Sequence, residues 1–577
     1  MINISGVSES RVAPAAAYFS KEESQSLILV PTYVRARRLA SDLSFFVKDK
    51  KILVMPEEEQ IFLRYEAKNH DQLIERMKAL KALMTGESVI VIAPVSAAVK
   101  KISPHDYYLE NVIKLVLGDD SDLDILREKL ISMGYEFSEM VESQGQFSIR
   151  GGIIDIFAPD SDNPYRIELF GTEIDSIRTF DQDTQRSIEN LKSVEIYPAR
   201  QLVASYDMLE AGCQAIRKEY EAQAKRLKDK SPQAADKLTE LKEQICDYIE
   251  NISDLKYLEN YIQYFCERTE YLWDYMTSGV IMLDDPERIW ELLELREKEL
   301  KEDFKVLLER GEAVPRDAEL ITGTADLKPV FQRKGTIAFT PFPKRIKGVD
   351  TFDKIININS RQMINFGGNL TLLESELKTY DKKGYSITFV FNSDGRMENM
   401  QDFVSRMGLK SHVTFAKGSL TSGIDFPDEK KCWICENDIF QHKKKGKRKK
   451  AFKDKGQKIR SFSDIKTGDY VVHESHGIGK FTGIEQLKVQ GEKKDYIKIK
   501  YAGNDVLYVP VEQMELVQKY IGGDGVAPKI NKLSGGEWKT TKAKAKAAVA
   551  VLAKDLIDLY ASRKMEKGHA FEKDTVW

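Results

Sequence analysis

The sequence predicts a multidomain α/β protein, and three observations carry that reading. A chain of 577 residues is long enough for about three to five domains at ~100–200 residues each. Three short apolar runs near the N-terminus, Ser26–Pro31, Lys51–Pro56 and Val89–Pro94, end in proline and alternate with helical spacing. That is the pattern of parallel strands buried on both faces. Finally, residues 464–520 break into short alternating segments with turns at His476-Gly477 and Gly503-Asn504, as in a small β-barrel.

Between the apolar runs, Val34, Leu39, Leu43 and Phe46 fall near one face of a helix over Thr32–Phe46, giving the layered α/β arrangement. From about residue 113 the character changes. One helix, Ser121–Gly134, precedes five strand candidates at Phe147–Ile149, Ile153–Phe157, Tyr165–Phe170, Glu173–Phe180 and Val194–Tyr197, with turns at Gly151-Gly152, Asp162-Asn163 and Gly171. This reads as an α+β insertion. Residues 201–300 are helical, Leu238, Leu241, Ile245 and Ile249 keeping helical spacing, and Ile281–Asp284 reads as a strand returning to the first sheet. Residues 336–440 are again α/β, with a helix over Asn369–Lys383 and strands at Ile387–Phe391 and Cys432–Cys435. Lys443–Lys450 is basic at seven of eight positions and reads as a linker. Beyond the barrel, Val549, Leu552, Leu556 and Leu559 mark a long amphipathic helix.

Bulk composition excludes some classes. The net charge is −3, so there is no overall basic field for nucleic acid. The cysteine count is odd, five in all and mostly widely spaced, which fits a reducing compartment better than a disulfide framework. No apolar run reaches the ~18 residues of a membrane span, and Met1–Ser10 lacks the basic flank and apolar core of a signal peptide. The expectation is a cytoplasmic protein, monomeric by default.

The motifs speak against catalysis. Ile4–Ala15 (ISGVSESRVAPA) sits where a phosphate loop would precede the first helix. A working loop needs glycines whose N–H groups wrap phosphate, and a Lys followed by Ser or Thr. This loop has no Lys-Ser/Thr pair, and Glu9 would repel phosphate. Leu283–Glu287 (LDDPE) lies where an acidic strand end would hold Mg²⁺; without a phosphate loop it reads as a solvated corner with Asp capping. Cys432-x-x-Cys435 lacks the two further ligands that zinc requires. Gly477-Ile478-Gly479 reads as a hairpin turn rather than a dinucleotide fingerprint.

Three longer segments resemble known families. Gly145–Phe180 (GQFSIRGGIIDIFAPDSDNPYRIELFGTEIDSIRTF) resembles a signature shared by the B subunit of the bacterial excision nuclease and the transcription-repair coupling factor. Gly468–Pro510, with Gly-Asp-Tyr-Val-Val-His, His-Gly-Ile-Gly-Lys-Phe and Leu-Tyr-Val-Pro, is similar to the coupling factor's RNA-polymerase-interacting domain. Leu533–Lys539 (LSGGEWK) and the helix after it resemble the segment leading into that family's motor.

The resemblance implies a domain order. A degenerate helicase-like α/β domain occupies 1–112 and 198–335, interrupted by an insertion at 113–197 that binds the excision-nuclease A subunit. A second small α/β domain (336–440), a basic linker (441–460), a polymerase-interacting five-stranded barrel (461–533) and an amphipathic helix (534–577) leading to an absent motor follow. It further implies an adaptor without catalytic activity or cofactor, the family's ATP and Mg²⁺ belonging to the motor. Arg150, Arg166 and Phe170 would dock on the A subunit. Gln486, Leu487 and Lys488 would meet the RNA polymerase β subunit by edge-strand pairing. Weak double-stranded DNA binding is a further partner expectation. The rival readings are an ATP-dependent helicase-like enzyme using the first domain and a non-specific DNA binder using Lys443–Lys450.

Overall fold

The computed structural model describes residues 1–57, 70–182, 184–251, 255–343, 345–349, 351–440, 467–473, 476–489, 492–502, 505–510, 517–520, 528 and 530–532. These fall into two compact units, one up to residue 440 and one after residue 466.

The first unit is organised by a seven-stranded sheet, parallel throughout. Its strands run in the order Lys354–Asn357, Ile2–Ser5, Ile337–Thr340, Val280–Asp284, Gln25–Val30, Val89–Pro94 and Lys51–Val54. Gln25–Val30 and Val89–Pro94 are buried at every position, which is why both read as unbroken apolar runs. Helices cover both faces. Tyr33–Phe46, capped by the Thr32 hydroxyl accepting from Arg35 N–H at 3.3 Å, packs Leu39 and Leu43 on the Ile4, Ile28 and Phe339 side. His70–Met84, Pro286–Glu309 and Thr324–Gln332 cover the other side. The expected return strand at Ile281–Asp284 pairs with Gln25–Val30.

One expected boundary moves. Residues 336–440 were expected to form the second α/β domain, yet the strands Ile337–Thr340 and Lys354–Asn357 lie within that range. They instead complete the first sheet, flanking Ile2–Ser5 on either side. The separate sheet therefore begins at Arg361, with strands ordered Arg361–Gln362, Ile424–Phe426, Lys431–Cys435, Ser386–Phe391 and Val413–Lys417. Burial of all four residues Ile337–Thr340 between two neighbours decides the matter, and that neighbourhood depends on chain hundreds of residues away.

The insertion is a mainly antiparallel sheet in the order Ser187–Leu191, Glu173–Phe180, Tyr165–Phe170, Ile153–Phe157, Gln146–Arg150 and Glu136–Phe137. Ile154, Ile156, Ile167, Ile174 and Ile177 form its core against the helix Leu123–Ser132. A helical hairpin, Tyr206–Leu227 and Pro232–Asn251, follows, zipped by Cys213, Ile216, Leu238, Leu241 and Ile245.

The second unit is a five-stranded antiparallel sheet in the order Val506–Pro510, Glu492–Lys500, Gly477–Val489, Tyr470–His473 and Val517–Lys519. Ile497, Ile499 and Tyr501 face its core with Val471 and Phe481. Its end strands do not pair with each other among the described residues, so closure into the expected barrel is not seen there. The expected linker at 441–460 and helix at 534–577 lie outside the described residues. No described helix is long and apolar enough to cross a membrane.

Candidate protein-interaction surfaces

The insertion places Arg150, Arg166 and Phe170 on one face. In Tyr165–Phe170 the core takes Ile167, so alternation turns Arg166, Glu168 and Phe170 outward. Phe170 is 84% exposed. It ends its strand just before Gly171, whose φ of 67° makes the tight turn to Glu173. The two arginines meet at one carboxylate. Arg150 Nη2 donates to Asp155 Oδ2 at 2.5 Å, while Arg166 Nε and Nη2 donate to Asp155 Oδ1 and Oδ2 at 2.7 and 2.9 Å. Arg166 also donates to Gln185 Oε1 at 2.8 Å and lies over the Phe180 ring, 4.1 Å from its centroid. Its pKa is held above the ordinary value chiefly by the Asp155 hydrogen bonds. Beside it, Glu168 accepts from Arg178 and from Ser176 Oγ, which holds the Glu168 carboxyl below its usual range.

Reading the sequence did not find Asp155 or Gln185. A signal existed for the first: Asp155 stands between Ile154 and Ile156, so alternation turns it away from the core. Its partner Arg166 follows only from the pairing register, Asp155 opposite Arg166.

The degenerate phosphate loop is filled by the protein itself. Gly6, at φ 86°, lies so close to Ile358 O that a Cβ there would come within 1.9 Å. Arg11 folds back, donating through Nε to Ser8 O at 3.1 Å and through Nη1 to Ser360 O at 3.0 Å. Ser10 Oγ accepts from Ser422 N–H at 3.2 Å, and Asp42 Oδ1 accepts from Thr421 N–H at 2.7 Å. Phe46 packs edge-on against Trp433 at 5.8 Å. The loop and the helix beside it thus hold the sheet of residues 361–440.

The acidic strand end corrects one expectation. Asp285 does cap the following helix, accepting from Arg288 N–H at 3.3 Å. Asp284, however, is buried rather than solvated, and it pairs with Arg35, Nε to Oδ2 at 2.5 Å. Arg35 Nη2 also donates to Glu9 O at 2.9 Å. Burial works against both charges and leaves Asp284 raised, yet the Asp284 charge lifts the Arg35 guanidinium above its ordinary value.

Cys432 and Cys435 are buried free thiols on one strand, and burial pushes both up. No cluster of metal-ligating side chains occurs among the described residues.

In the second unit, Tyr470–His473 pairs with only Gly477–Lys480 of its long neighbour. From Gly483 to Val489 that neighbour pairs with Lys498–Glu492 on one side and has no strand on its other side among the described residues. The backbone of Gln486, Leu487 and Lys488 lies on this free stretch; their side chains lie outside the described ones. Ile484, on the same stretch, is 46% exposed. Glu485 Oε2 accepts from Lys498 Nζ at 2.9 Å and Tyr508 OH at 3.1 Å, tying the central pair to the outer strand.

Nearby, the His473 ring is buried 4.8 Å from that of His476. Burial, helped by His476, pulls its pKa from 6.5 down to about 4. Between those values the unfolded chain binds a proton that the folded one refuses, so stability falls as pH drops from about 6.5 to 4. The expected loss is at most about 3 kcal/mol. It is read as faster hydrogen exchange of the Ile497 and Ile499 amides, and His473→Gln should abolish the slope.

Two family models match the chain: one described as UvrB interaction domain over residues 113–202, and one described as CarD-like/TRCF RID domain over residues 465–521. The transcription-repair-coupling factor of Bacillus subtilis (strain 168) is 34% identical over 589 residues, covering 99% of this chain and 49% of the relative. The chain is homologous to the N-terminal half of transcription-repair-coupling factors. Coupling factors of Staphylococcus epidermidis (strain ATCC 35984) and Staphylococcus aureus (strain MRSA252) are 30% and 31% identical, each half covered by nearly the whole of this chain. The chain thus spans about half the length of the coupling factors it matches. The first matched domain coincides with the face carrying Arg150, Arg166 and Phe170, the second with the sheet whose long strand has a free edge.

Proposed function

We propose that this chain is a docking module joining RNA polymerase to nucleotide excision repair. It binds the excision-nuclease A subunit through residues 113–197 and the polymerase β subunit through the sheet of the second unit. The observation that carries this reading is the presence, in one chain, of both matched interaction domains, each presenting a recognition element. On the first the element is an outward Phe beside two arginines, residue types that dominate binding hot spots. On the second it is a strand edge with no neighbouring strand among the described residues, of the kind a partner strand extends by main-chain hydrogen bonds. The first domain does this work without a nucleotide, its loop being occupied by Ile358, Ser360 and Arg11 and its acid by Arg35.

Pull-down of the purified chain against each subunit separately tests the proposal. Capture of both supports a bridge. Capture of neither at micromolar concentrations sinks it, and retention of labelled ATP would overturn the nucleotide-free part. For the polymerase arm, Leu487→Arg is expected to weaken binding at least tenfold, because burying one leucine contributes about 1.5–3 kcal/mol. Unchanged affinity would remove Leu487 from the contact.

A further inference from the structure

We propose that Asp155 is the positioning residue that presents both docking arginines of the insertion. This rests on the docking reading above and goes beyond it by naming what sets the geometry of the contact. Asp155 lies mid-strand on the outward face, since Ile154 and Ile156 enter the core. An aspartate there would ordinarily be solvated, yet its side chain is 0% exposed. Both guanidiniums meet it, on a face that also carries the buried Ser148, Phe157 and Phe180. Arg166 reaches it from the directly opposed position on the next strand, with two parallel N–H donors. Arg150 reaches it from the strand on the other side, two residues beyond Ser148, the residue opposite Asp155.

A carboxylate accepting a forked guanidinium fixes the plane of that group as well as its place. Arg166 is pinned further by Gln185 and Phe180, and its side chain is only 14% exposed. Arg150 has a single contact to Asp155 and is 47% exposed. The division of labour follows. Arg166 and Asp155 form the fixed base, and Arg150 is held by that base with its remaining donors turned to solvent. Two cations share one anion, so the cluster keeps a net positive charge. The group it suits on the partner is a carboxylate side chain, met beside the apolar anchor Phe170.

The test measures affinity for the excision-nuclease A subunit by calorimetry, using the full chain and following each variant's melting. Asp155→Asn keeps the volume and removes the charge. It is expected to weaken binding about tenfold, and Asp155→Asn combined with Arg150→Ala should lose less affinity than the two single losses added together. Additive losses would mean that Asp155 does not act through the arginine. Arg166→Lys leaves Asp155 intact and keeps the charge but cannot fork, so it is expected to lose affinity comparably. If it binds like the parent chain, the fork does not matter and the inference is overturned, whatever the folding of the Asn variant. Failure of the unsubstituted chain to bind would bring down the docking reading itself. Normal binding by both the unsubstituted chain and Asp155→Asn would bring down only the role of Asp155.

Discussion

Arg35→Ala should destabilise the first unit by about 3–5 kcal/mol, the cost of leaving a buried charge without its partner. Asp284 ends a central strand of the parallel sheet and is almost wholly enclosed, so removing Arg35 strands a carboxylate that water cannot reach. The loss should appear as an earlier urea midpoint with little change in slope. A companion variant identifies the cause: Asp284→Asn added to Arg35→Ala removes the stranded charge and should recover a large part of the loss. If Arg35→Ala melts like the parent chain, the pair is not what holds this corner. Loss of Arg35 also frees Glu9 O, so the degenerate loop should exchange faster. The loop is held from inside the protein, as a structural joint between the first sheet and residues 361–440.

Phe170→Ala is expected to weaken binding to the excision-nuclease A subunit about tenfold or more while leaving the melting temperature unmoved. The separation of the two effects is the diagnostic feature. At 84% exposed the ring contributes little to folding, and surface substitutions of this kind usually stay within ~0.5 kcal/mol. Burying the same ring under a partner is worth about 1.5–3 kcal/mol, which corresponds to roughly ten- to a hundredfold in affinity. Calorimetric titration reads the first quantity and thermal melting the second. Full affinity after truncation would take Phe170 out of the interface, and a large fall in melting temperature would show that the ring packs in the fold after all.

Much of the local structure was legible in advance because its causes are local. Tyr165–Phe170 and Glu173–Phe180 have the bounds read from alternation and the Gly171 turn, and Asn369 caps the helix expected to start there. Ile497, Ile499 and Tyr501 share the buried face that period-two spacing assigned to them. Less was legible at edges. Ser187–Leu191 passed unnoticed because it pairs on one side only and is exposed at nearly every residue, so no apolar alternation marked it. Nor did the sequence show that the phosphate-loop remnant contacts Ser422, and the helix beside it Thr421, which lie far along the chain.

The sequence by itself determined where most strands and helices lie, that Arg166 and Phe170 share one face of their strand, and the family likeness that the matched domains bear out. Periodicity, turn chemistry and capping act within a few residues, so they are written where they act. Only the tertiary structure decided that Ile337–Thr340 and Lys354–Asn357 belong to the first sheet, that Asp284 is paired with Arg35 rather than solvated, and that Asp155 gathers Arg150 and Arg166. Each of these depends on which strand lies beside which and in what register. Parallel pairing and buried ion pairs join segments that the chain separates widely, and no local pattern records that choice.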